Sequence, residues 1–131
     1  MKLSERAVYY YLEQKQNCAV AILLAANDHY DLGLNREDAE LVAGFGGGMG
    51  CGSTCGCLAG AIAALGKLFS KRADFRPLCA GFTEAFKKAM DSDSWDCAPL
   101  KARYQVPEFR CREVVIRAAD ALEEYISQNA E

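Results

Sequence analysis

Three cysteines, Cys51, Cys55 and Cys57, fall within GFGGGMGCGSTCGCLAG, a stretch from Gly44 to Gly60 that also carries eight glycines. Sulfur in this setting can ligate a soft metal, hold an iron–sulfur cluster or attack a disulfide, and each role uses the thiolate. A glycine backbone can bring N–H groups close to such an anion, and a helix N-terminus adds unpaired amides and the positive end of the helix dipole. Cys55 follows Ser53 and Thr54, either of which can cap a helix, and Cys18 follows Asn17 in the same relation. Two thiols at two expected helix starts say more than a count of cysteines. Cys55 is therefore the expected reactive thiol, and Gly46, Gly47, Gly48, Gly50, Gly52, Thr54 and Gly56 are the expected border of a cofactor site.

Other chemistry fits less well. The loop has no G-x-G-x-x-G register and no G-x-x-x-x-G-K-[ST], and no strand is expected before it, which disfavours a nucleotide. The C-x3-C-x-C spacing of Cys51, Cys55 and Cys57 differs from the paired C-x2-C knuckles of structural zinc sites. His29 is the sole histidine, so a Ser–His–Asp or Cys–His nucleophile cannot be assembled with any force, and a local hydrogen bond is its expected role. Asp91, Asp93 and Asp96 lack the glycine and distal glutamate of a calcium loop. Cys79, beside Leu78 on an apolar helix face, is expected in the core. Cys97 lies beside Trp95 and Asp96 in a polar segment, where a reactive or ligating role is the better reading.

An NC pair early in the chain, then GFGGGMG leading into TCG and a helix, then two later cysteines, resembles the C_GCAxxG_C_C family of redox proteins over nearly the whole chain. The resemblance implies that Cys18, Cys55, Cys97 and Cys111 are the family cysteines and the candidate metal ligands. Cys57 stands where the family usually has alanine, and Cys51 and Cys79 are additional. The chain is also similar to the cluster-bearing part of split-Soret cytochromes c. No C-x-x-C-H occurs, so no haem is expected.

These residues need helices to hold them. Leu3 to Glu13 reads as one helix, and Asn17 caps a second with Cys18, Ile22, Ala25 and Ala26 on its stripe. Asn35 and Asp38 open a third, with Leu41, Val42 and Phe45 on its apolar side. Thr54 or Ser53 opens a fourth along Cys55, Leu58, Ile62, Leu65 and Phe69, expected to be the most buried. Pro77 lies in the first turn of a fifth, Asp91 to Pro99 reads as loop, and Pro107 starts a last helix through Cys111, Val114, Val115, Ala118, Leu122 and Ile126. The fold expectation is all-α: a single domain over residues 1–131, a bundle of about five or six helices with a glycine-rich loop before a buried central helix. Tyr9, Tyr10 and Tyr11 cannot share a helix face, so at least one should be exposed or meet a partner chain, which leaves a homodimer open.

Hydrophobic content of 51% over 131 residues suffices for a core, and a net charge of −3 offers no basic field for nucleic acid. The longest apolar run, Cys18 to Ala26, is too short to span a bilayer, and the N-terminus shows no export signal, so the expected location is the cytoplasm without membrane association. An odd cysteine count disfavours a purely structural disulfide framework. Three functions stay open: an iron–sulfur protein for electron transfer or cluster delivery to a redox partner protein, a thiol–disulfide protein with Cys55 attacking, and a structural or trafficking site for zinc or copper(I). An oxidoreductase and a non-enzymatic electron carrier both fit.

Overall fold

Helices make up most of the structure, a computed structural model that describes residues 1–130. α1 (Leu3–Val8) runs directly into a π-helical turn, Tyr9–Glu13. The other α-helices are α2 (Cys18–Tyr30), α3 (Gly56–Phe69), α4 (Phe75–Met90), α5 (Cys97–Tyr104) and α6 (Arg112–Asn129). A 3-10 helix, Asp38–Phe45, and a π-type turn, Gly48–Gly52, lie between α2 and α3. Among the described residues there is no strand, only isolated bridges joining Thr54 to Asp96 and Val106 to Arg110. No helix there is long and apolar enough to cross a membrane.

The most deeply buried helix is α2 rather than α3, since every residue from Ala19 to Ala26 is buried. A segment apolar on all sides must be surrounded, whereas α3 keeps a partly exposed side at Ile62 and Ala63. The two helices touch at backbone level: a Cβ placed on Gly60 would lie 2.5 Å from the Ala19 carbonyl oxygen. On the other side, Phe82, Phe86 and Met90 of α4 and Val115 and Leu122 of α6 are fully buried in the core.

Several local expectations change. Asn35 and Asp38 do exchange reciprocal hydrogen bonds, each N–H donating to the other's side chain at 2.9 Å. The helix they open is 3-10, so residues three apart align: Ala39 and Val42 are buried, and Leu41 is 84% exposed instead of packed. Cys97 to Pro99, read as loop, form the first turn of α5, where proline lacks only a hydrogen the helix would not use. α6 begins at Arg112, not Pro107, because the Val106–Arg110 bridge closes a turn with Arg110 at φ 51°. Tyr9 is 47% exposed, while Tyr11 is buried.

Candidate thiolate site

Cys18 is the first residue of α2, and Asn17 caps that helix by accepting the Val20 N–H at 3.0 Å. The Asn17 amide also donates to the Ala43 carbonyl at 2.7 Å, tying the 3-10 helix to the same end of α2. Cys55 is the N-cap of α3, one position earlier than the sequence suggests; Thr54 is not the cap but pairs with Asp96. Cys97 opens α5, and Cys111 is the N-cap of α6. Each of the four cysteines carried by the family resemblance thus stands at the start of a different helix.

Hydrogen bonds join these starts. The Cys55 N–H donates to the Trp95 carbonyl at 2.8 Å and the Cys97 N–H to the Ser53 carbonyl at 2.6 Å, so the approaches to α3 and α5 run side by side. The Cys111 N–H donates to the Tyr11 hydroxyl at 3.1 Å. The π-helical turn presents Tyr11 there, and Arg110 holds it from outside, its guanidinium 4.2 Å from the ring centroid and donating to the Tyr11 carbonyl at 2.9 Å. The sequence marks Tyr11 only as one of three consecutive tyrosines and gives it no part in the site.

The glycines act mostly through absent side chains. A Cβ on Gly56 would sit 2.5 Å from the Cys18 sulfur, and one on Gly48 would sit 2.6 Å from the Cys97 Cβ. At Gly46 it would meet the Asn17 amide nitrogen at 2.7 Å, and at Gly52 the Ala98 Cβ at 3.2 Å. Gly47 contributes its N–H to the Cys18 sulfur. Gly50 meets nothing within 4 Å; its place in the loop follows from φ 72° in a left-handed run, Gly47 to Gly50, that Met49 shares at φ 61°.

Charge is unevenly shared. Cys18 is brought down to about 6, chiefly by a hydrogen bond from the Cys57 thiol, with N–H groups of Gly47, Ala19 and Cys18 itself helping against burial. Cys55 is also lowered by Cys57, against burial and the Cys18 charge, with the Cys57 and Leu58 amides assisting. Cys57, fully buried, is pushed up by those same two hydrogen bonds and by burial, so it keeps its proton between two ionisable neighbours. Burial raises Cys97, and the charges of Cys55, Cys18 and Cys111 raise it further. Cys111 rises through burial and the charges of Cys18 and Cys55, opposed by Lys101 and a hydrogen bond from Tyr11. Five thiols therefore share one electrostatic neighbourhood.

The remaining candidates lie apart. Cys79 is half-buried rather than fully in the core, raised by burial, and it acts electrostatically on Tyr125. Cys51 is exposed, its thiol donating to the Gly48 carbonyl at 3.5 Å. His29 faces Glu123 at 3.5 Å, and Asp91 pairs with Arg103 at 3.0 Å. Cys57 is the participant whose role the sequence left open. The signal was its register: Cys57, Ala61 and Ala64 form a small-residue row on α3, and all three are fully buried.

Soft thiolates flanked by donating amides suit an iron–sulfur cluster, zinc or copper(I). Among the described residues, no three His, Cys, Asp or Glu side chains gather tightly enough to hold one metal ion.

The family model described as "Putative redox-active protein (C_GCAxxG_C_C)" matches residues 16–125, which include all seven cysteines and the starts of α2, α3, α5 and α6. No curated protein and no solved structure matches the chain.

Proposed function

The chain belongs to the C_GCAxxG_C_C family, and from that premise we propose that it is a small redox protein whose Cys18, Cys55, Cys97 and Cys111 thiolates hold an iron–sulfur cluster, serving electron transfer to a redox partner protein or cluster delivery. The observation that carries this reading is the placement of those four cysteines at the starts of four helices. Each start offers unpaired amides and the positive end of a dipole, which favours accumulated negative charge. When bound, the cluster would supply one-electron chemistry. The chain's part is electrostatic. The Gly47 and Ala19 amides donate to Cys18, those of Cys57 and Leu58 donate to Cys55, and the Tyr11 hydroxyl serves Cys111. Hydrogen bonds to ligating sulfur favour the more negative, reduced state and raise the potential.

The test is purification without air, followed by a visible spectrum and iron, sulfide and zinc analyses on one sample. Broad absorption near about 400 nm with matching iron and sulfide is the expected result. Colourless protein that takes up no iron on reconstitution would sink the reading, and stoichiometric zinc would favour the structural alternative. A thiol–disulfide role with Cys55 attacking gains less support, because Cys55 is only 4% exposed.

A further inference from the structure

Cys57 is not among the four proposed ligands, yet its fully buried thiol lies in hydrogen-bonding contact with both Cys18 and Cys55. The contact with Cys18 crosses between helices. Gly56 leaves the Cys18 sulfur 2.5 Å from where its Cβ would be, and Gly60 lets the α3 backbone reach Ala19, so the first turn of α3, which carries Cys57, lies against the first turn of α2, which carries Cys18. Cys55 touches Cys57 as well, but it is a buried N-cap, whereas Cys18 is half-buried. We propose that Cys18 and Cys57 form a dithiol–disulfide couple that reacts with low-molecular-weight disulfides and, when oxidised, closes the site to metal.

Exposure assigns the roles, since Cys18 is half-buried whereas Cys57 is fully buried. The Cys18 thiolate attacks one sulfur of a disulfide such as oxidised glutathione; that S–S bond breaks and the departing thiolate takes up a proton. Cys57 then gives up its proton and attacks the Cys18 sulfur, forming the Cys18–Cys57 bond and expelling the second small thiolate, which is protonated in turn. Counting the proton that Cys18 released on ionising, the protein loses two protons and two electrons, and one small disulfide becomes two thiols. The couple stands on this geometry alone; its gating of metal rests on the ligand reading above, because sulfur in a disulfide is no longer a thiolate donor.

The experiment equilibrates metal-free protein with mixtures of oxidised and reduced glutathione, traps free thiols and maps linked peptides. The expected result is two thiols lost together, a Cys18–Cys57 link, and loss of that link in Cys57→Ala. Cys18 found only as a mixed disulfide with glutathione, or linked to Cys55, Cys97 or Cys111 equally in wild type and Cys57→Ala, would overturn the couple. A second arm measures iron and sulfide uptake. Oxidised wild-type protein should take up at least about tenfold less than the dithiothreitol-reduced sample, with Cys57→Ala showing no such difference; equal uptake by both wild-type forms would overturn the gating. Protein that forms the Cys18–Cys57 link yet takes up no iron in either state would remove the cluster reading and the gating with it, and leave the couple intact.

Discussion

At the scale of single residues, the proposed chemistry turns on which sulfur carries charge. Cys18, lowered to about 6, should be alkylated in metal-free protein with a half-maximal rate near that pH, while Cys79, raised by burial, should lag throughout the neutral range. Site-resolved labelling across pH checks this, and equal profiles for the two would defeat the electrostatic account. The Cys57 hydrogen bond is the largest cause of the lowering, so Cys57→Ala should move the Cys18 midpoint upward. The sign for stability follows. Cys18 ionises more readily folded than unfolded, so its contribution is complete only above the ordinary thiol range. It shrinks as pH falls from there and is gone below about 6. Urea unfolding of metal-free protein should therefore show stability rising from about pH 6 towards about pH 8.5. Cap residues made Cys18 and Cys55 visible as helix-start thiols. Spacing could not reveal that Cys57 holds the proton between them, because that depends on which sulfur lies across the α2–α3 contact.

At the scale of elements, glycines decide how closely α2 and α3 approach. Gly60→Ala drives a methyl into the Ala19 backbone, which cannot move aside as a flexible side chain would, and it should destabilise by about 2 kcal/mol or more despite the helix propensity gained. Gly66→Ala, on the same helix, would only meet the Phe75 ring at 3.9 Å and should stabilise by about 0.5–1 kcal/mol. Chemical denaturation of both variants provides the comparison, and similar losses in both would refute the close-approach argument. Element boundaries were legible where a local device sets them: Asn17 at α2, the Asn35–Asp38 exchange, and Pro77 in the first turn of α4. They were not legible at Asp38–Phe45, where α and 3-10 helices differ little in local signal but turn Leu41 to opposite environments. The start of α5 was hidden too, because its N-terminal neighbours are held by a bridge to Thr54, more than forty positions away in the chain.

For the whole molecule, one apolar core unites the packing of α4 and α6 with Cys55 and Cys57, with Cys18 and Cys111 against it and Cys97 outside it. Phe82→Ala opens a cavity among fully buried neighbours and should cost about 3–5 kcal/mol. Cys97→Ala, at a half-buried helix start, should cost less than about 1 kcal/mol while abolishing iron uptake. Far-ultraviolet circular dichroism of metal-free protein should accordingly keep its helical signal, and collapse of that signal on metal removal would show that the site holds the fold together. The sequence by itself determined the helical class, most of the apolar stripes, and the helix starts at Cys18 and Cys55. Periodicity and caps act over a few residues and survive in any single chain. Only the tertiary structure decided that α2 is the most buried helix, that Cys97 stands at a helix start, that the last helix begins at Cys111 rather than Pro107, that Tyr11 reaches Cys111, and that Cys57 lies against Cys18. Those facts arise from glycine-permitted contact between α2 and α3 and from pairing of distant segments, and long-range contacts of that kind leave no periodic trace in the residues that make them.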